Sequence, residues 1–254
     1  MNPLHVKCPG MDDTADHPGQ PGILPAGTVL LIAGLLGAAL LAANSDIALA
    51  DDLDAVARKV DEDGNRAFYT FIVFWAMMIG LACAGLASVA ALLARSGGAA
   101  RGLGAAAATL AGIAGAVLVM VPVFYSALVN EWDPDIKDGS LTTGGYAVDV
   151  LESIPFGASQ AGIGILLVGL VMLAAAFFAS DEMNGAIGIP PLILSFFMIA
   201  VLEEGRGVSN FMVPLAALIV GAPVTWYGWA MRRGGRTTPR RPLGPTPPAP
   251  PAQR

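Results

Sequence analysis

The chain has 254 residues, of which 55 % are apolar and only 13 % charged, with a mean hydropathy of +0.63 and a net charge of −6. A soluble domain carries roughly a quarter charged residues, so this composition excludes an ordinary globule, and two cysteines exclude a disulfide scaffold. What remains is an all-α, polytopic membrane helix bundle.

A helix needs about 20 predominantly apolar residues to cross roughly 30 Å of hydrocarbon. Residues 1–22 precede the first such run; they mix Asp, His, Gly and Pro without periodicity and read as a disordered leader. Six spans are expected: residues 23–43, 68–94, 103–129, 159–179, 185–202 and 211–231, so that 23–231 form the bundle. The fifth contains Pro190 and Pro191, which suit the first turn of a helix; its helical part is expected to start near Ile189 and to be about 14 residues long, with a hairpin as the alternative to a full span. Pro214 and Pro223 predict kinks in the sixth. Ala48-Leu49-Ala50 has the small-residue pattern of a signal-peptidase site, but the region before it holds one Lys and three Asp instead of a basic start, so retention is favoured.

Arg and Lys near span ends set orientation. The segment 232–254 is basic and then Pro-rich, with Arg232, Arg233, Arg236, Arg240 and Arg241 beside the last span, which places the C-terminus in the cytoplasm. Counting back through six spans puts nine Lys/Arg inside and five outside, while 15 of the 20 acids fall outside. The Arg-rich tail is expected to hold anionic lipid.

Between the first two spans, Leu53, Val56, Ala57 and Val60 repeat at helical spacing, predicting a short extracytoplasmic amphipathic helix that begins at Asp51 and ends near Gly64. The Asp61–Asn65 cluster lacks the spacing of an EF-hand loop, as does the group Asp133, Asp135 and Asp138. The loop 130–158 is the longest connection; it opens on Glu131-Trp132-Asp133-Pro134, turns at Thr142–Gly145, and is expected to hold a short helix from Tyr146 to Ile154, ended by Pro155. Trp132, Asp133 and Asp135 are therefore the first candidates for binding a partner, which would be another membrane protein.

The first four spans carry no ionisable residue in their central turns, which argues against proton- or ion-coupled transport. Glu203, Glu204, Arg206 and Asn210 follow the Pro-interrupted span and are the candidates nearest to any solute path. His5 and His17 lie in the leader and Cys8 and Cys83 are far apart, so no metal or cofactor site is expected. No nucleophile elbow, phosphate loop or HExxH motif is present, and nothing points to a nucleic acid. Trp75, Trp226, Tyr227 and Trp229 read as interfacial anchors.

Small residues recur every four places on the second span (Ala76, Gly80, Ala84, Ser88) and the third (Gly104, Ala108, Gly112, Ala116, with Ala107, Ala111 and Gly115 beside them). They predict a close antiparallel pair joined by the turn 95–102; Gly162, Gly164 and Gly169 offer a looser version on the fourth span. The expectation is a structural, accessory or interaction subunit of a bacterial inner membrane, not an enzyme. A small-solute transporter or channel with its path near residues 189–210 is the alternative.

Overall fold

The computed structural model describes residues 20–45, 65–130, 142–181, 183–201 and 211–237. It is an all-α bundle, and five of its helices are long and apolar enough to cross a membrane. In chain order these are α1 (Gln20–Ala43), α2 (Asn65–Leu93), α3 (Gly98–Asn130), α4 (Thr142–Phe178) and α6 (Met212–Thr237), with a 3-10 turn (Gly185–Gly188) and the 13-residue α5 (Ile189–Val201) between α4 and α6. Asn184 starts the 3-10 turn by accepting the Ala186 N–H at 3.0 Å, and α5 begins at Ile189 with Pro190 and Pro191 in its first turn, where the missing N–H groups cost nothing.

Two expectations are corrected. The segment Thr142–Gly145 is not a turn, and Pro155 does not end a helix: both lie inside the 37-residue α4, whose backbone runs through Pro155. Proline removes only one helical hydrogen bond, to the carbonyl four residues back, and Pro155 is buried against the bundle. Likewise α6 continues past Met231 to Thr237, so Arg232, Arg233 and Arg236 belong to its last turns, and Pro25, Pro122 and Pro223 lie within helices. The amphipathic helix expected between the first two spans and the Ala48–Ala50 site lie outside the described residues, as do the leader as far as residue 19 and the tail beyond residue 237.

Glycines show how the helices face one another. A Cβ built on Gly27 would come within 2.7 Å of the Thr225 backbone nitrogen, one on Gly34 within 2.8 Å of that of Leu218, and one on Gly221 within 2.7 Å of that of Leu31. As residue numbers rise along α1 they fall along α6, so the two run antiparallel. The same holds for α1 and α2 (Gly85 on Leu30, Gly22 on Leu92), for α2 and α3 (Gly104 on Ala90 and Ala94, Gly115 on Cys83), and for α3 and α4 (Gly162 on Leu118, Gly169 on Leu110). Each helix packs on the next, α5 packs on α4 and α6, and α6 returns to α1, closing a ring; α2 also reaches α4 and α6.

The chain between α4 and α6 crosses the bundle once more. Ile187 shares a small void with Ile23, Leu92, Phe177 and Tyr227 at one end, whereas Pro214 lies over Gly37 towards the other. The 3-10 turn and α5 together cover at most about 28 Å of that path, at roughly 2.0 and 1.5 Å per residue, close to the hydrocarbon thickness.

Each helix carries one series of buried positions with a common spacing, beside which neighbours such as Ala33, Phe71, Cys83, Gly115, Ala174 and Val220 are buried as well. On α2 the series is Phe68, Ile72, Trp75, Ile79, Ala82, Leu86, Val89 and Leu93, and on α3 Ala100, Gly104, Ala107, Ala111, Ala114, Leu118 and Val121. On α4 it is Ser159, Ile163, Leu166, Leu170, Leu173 and Phe177. The steps alternate strictly between three and four. On α1 (Ile23, Gly27, Leu30, Gly34, Gly37, Leu41) and α6 (Pro214, Ala217, Gly221, Val224, Gly228) the pattern is the same. Steps alternating between three and four keep such a series on one face of its helix. The bulky seams of α2 and α4 flank the small seam of α3, which lets the backbones approach, and in lipid that close contact is what holds helices together.

Candidate functional site

The bundle interior offers no chemistry among the described residues. Its buried polar side chains are four serines, Ser96, Ser159, Ser180 and Ser195, and no charged residue is buried. Three hydroxyls in the spans bond to their own helix, Ser195 Oγ donating to the Pro191 carbonyl at 2.8 Å, Thr28 Oγ1 to that of Leu24 at 2.8 Å and Thr109 Oγ1 to that of Ala105 at 3.0 Å, whereas the buried Ser180 Oγ and Thr225 Oγ1 have no partner. No group of three metal-ligating side chains occurs among the described residues. Two voids between helices, one by Ile23 and Phe177 and one by Ala107 and Leu170, have apolar walls and no room for more than a single water.

The largest of these unpartnered groups is an indole. Trp75 is buried in the α2 seam, stacked on Phe71 at 5.5 Å, and its N–H has no acceptor. This corrects its assignment as an interfacial anchor. Trp75 lies about 15 Å along α2 from Asn65, a third of the way along the helix, and it faces the bundle from a seam position. Leaving that N–H unpaired costs about 1–3 kcal/mol. Tyr227 is half-buried against the void by Phe177, whereas Trp226 is 68 % and Trp229 38 % exposed, as anchors at a span end should be.

All seven residues singled out from the sequence, Trp132, Asp133, Asp135, Glu203, Glu204, Arg206 and Asn210, lie outside the described residues. The helices nevertheless determine where their segments attach. The antiparallel order puts the end of α1, the start of α2, the end of α3, the start of α4 and the start of α6 at one end of the bundle. The connections 46–64, 131–141 and 202–210 therefore all join helices at that end, and with Asp149 and Glu152 of α4 they hold 15 of the 20 acids. At the other end are Arg95 and Arg101, on either side of Gly98, and the arginines of α6. Gly98, at φ +62°, makes the turn there in a left-handed conformation that favours glycine.

The molecule is thus an apolar body with an acidic end and a basic end. No known family model matches the chain, and no match was found among curated proteins or among solved structures. The site to be explained is the acidic end, whose field draws cations and basic surfaces and repels acidic ones.

Proposed function

We propose that the protein is a structural or accessory subunit of a bacterial inner membrane, without catalytic activity of its own, whose acidic end recognises another membrane protein. Its C-terminus is cytoplasmic and the acidic end lies outside. The observation that carries this reading is the separation of the two parts: the described interior holds no charged side chain, only a few hydroxyls, one indole and apolar side chains, while three acidic connections converge at one end. A body of this kind fixes the spacing of its ends and leaves recognition to them.

Purification of the tagged protein in mild detergent tests the proposal. A defined partner should co-purify, and Asp133→Asn/Asp135→Asn should weaken its recovery; a chain recovered alone under crosslinking contradicts the proposal. Reporter fusions at residue 254 and within 131–141 should report cytoplasm and exterior respectively.

The shortness of α5, whose 13 residues cover only about 20 Å, favours a second reading, a small-solute path beside residues 189–210. Under that reading Glu203→Gln and Asn210→Ala abolish solute uptake into vesicles; under the first they leave it unchanged.

A further inference from the structure

The end of α6 is helical as far as Thr237, beyond the expected end of the span at Met231, and this changes what its arginines can do. Carried on to Thr237, the helix places residues 222, 226, 229, 233 and 236 on one stripe, again in alternating steps of four and three. Ala222, Trp226 and Trp229 of that stripe are exposed, so it faces away from the bundle. The Trp226 and Trp229 rings lie 5.3 Å apart, tilted by 36°, at the last turns of an apolar stretch that ends at Arg232. Positions 233 and 236 continue the same face one and two turns further on, and Arg232, itself exposed, lies beside it.

We infer that this face, Trp226–Trp229–Arg233–Arg236, binds one anionic phospholipid of the leaflet at that end. The inference rests on the cytoplasmic assignment of the basic end and deepens it to named residues. Indoles settle at the glycerol and headgroup level, where one side of the ring is apolar and the other wet. An arginine one turn beyond them stands at the height of the phosphates, and its planar guanidinium matches a phosphate with two parallel hydrogen bonds. Charge selects the lipid: three arginines fall within five residues on this helix end, and the next acid before them in the chain is Glu204 at the opposite end.

Quenching of the exposed tryptophans by lipids carrying bromine on their acyl chains tests this, because Trp226 and Trp229 face lipid whereas Trp75 is buried. The full chain, and its Trp75→Phe/Trp132→Phe variant, are reconstituted with brominated phosphatidylglycerol or brominated phosphatidylcholine at equal mole fraction. Phosphatidylglycerol should quench with an apparent affinity more than about tenfold higher. That preference should fall to about one in Arg233→Gln/Arg236→Gln and shrink at high salt. Native mass spectrometry of the unmodified chain should show one retained phosphatidylglycerol, lost in the same double variant. Equal quenching by the two lipids, or a preference that survives the double variant, overturns the inference. So does an absence of quenching by either, which would mean that a second copy or another protein covers the face. Topology reporters that place residue 254 outside would overturn the cytoplasmic assignment alone, leaving the lipid preference to be read in the other leaflet.

Discussion

Two sets of glycines in this bundle look alike in sequence and differ in what surrounds them. Gly27, Gly34, Gly221 and Gly228 sit where α1 and α6 touch, and a Cβ on any of them would meet neighbouring backbone at 2.7–2.9 Å. Gly102 and Gly112 of α3 have nothing within 4 Å, and both are exposed. A small residue in a membrane helix is therefore no guide to contact by itself; what distinguishes the two sets is the 3.5-residue seam, which passes through the first and misses the second.

Substitutions turn this difference into numbers. Gly34→Val should have the largest effect, at least about 3 kcal/mol, because Leu218 N and Pro214 O are backbone atoms that cannot move aside. Loss of a folded, detergent-soluble species on thermal ramping would show it. Leu170→Ala, which empties a fully buried seam position on α4, should cost about 2 kcal/mol, near the low end for such changes because the lipid reference state offers Leu no transfer gain. Gly162→Ala should be milder, about 1 kcal/mol, since its new methyl would meet side-chain atoms and no backbone, Leu118 Cδ2 and Cγ at 2.6 Å and Val117 Cγ1 at 3.4 Å; Leu118→Ala in the same chain should restore part of the loss. Gly112→Leu should change stability by less than about 0.5 kcal/mol. A seam set by some other period would reverse the order of the first and last.

The apolar runs made the bundle, five of the six expected spans and the start of α5 at Ile189 legible, because hydrocarbon imposes one length on every crossing. The packing faces were only partly legible. A spacing of four drifts about 40° per step around a helix of 3.6 residues per turn, so the stripe Gly104–Ala108–Gly112–Ala116 starts in the seam and leaves it, with Gly112 and Ala116 exposed. The neighbouring Ala107, Ala111 and Gly115 stay buried. On α2, Ala84 and Ser88 also turn outward while Cys83 and Leu86 turn in. In an Ala-rich chain both faces are small, so residue size does not separate them. The pairing of α1 with α6 joins residues nearly 200 apart, which no local pattern encodes. Trp75 departs from expectation for a related reason: tryptophan favours interfaces on average, but a buried seam position overrides that average. The acidic candidates Glu203, Glu204, Asp133 and Asp135 were assigned to one side by the positive-inside rule, and the antiparallel order of the helices brings their segments to one end.

The central claim is that the body of the bundle is sealed against water, so that function resides at its ends. Cys83 probes this directly, because it is buried in the α2–α3 seam against Gly115 and is a free thiol. In membranes containing the Cys8→Ser protein, a water-soluble maleimide should leave Cys83 unlabelled until the bundle is denatured. Labelling of the native protein at the rate of an exposed thiol would place water at mid-span and contradict the account.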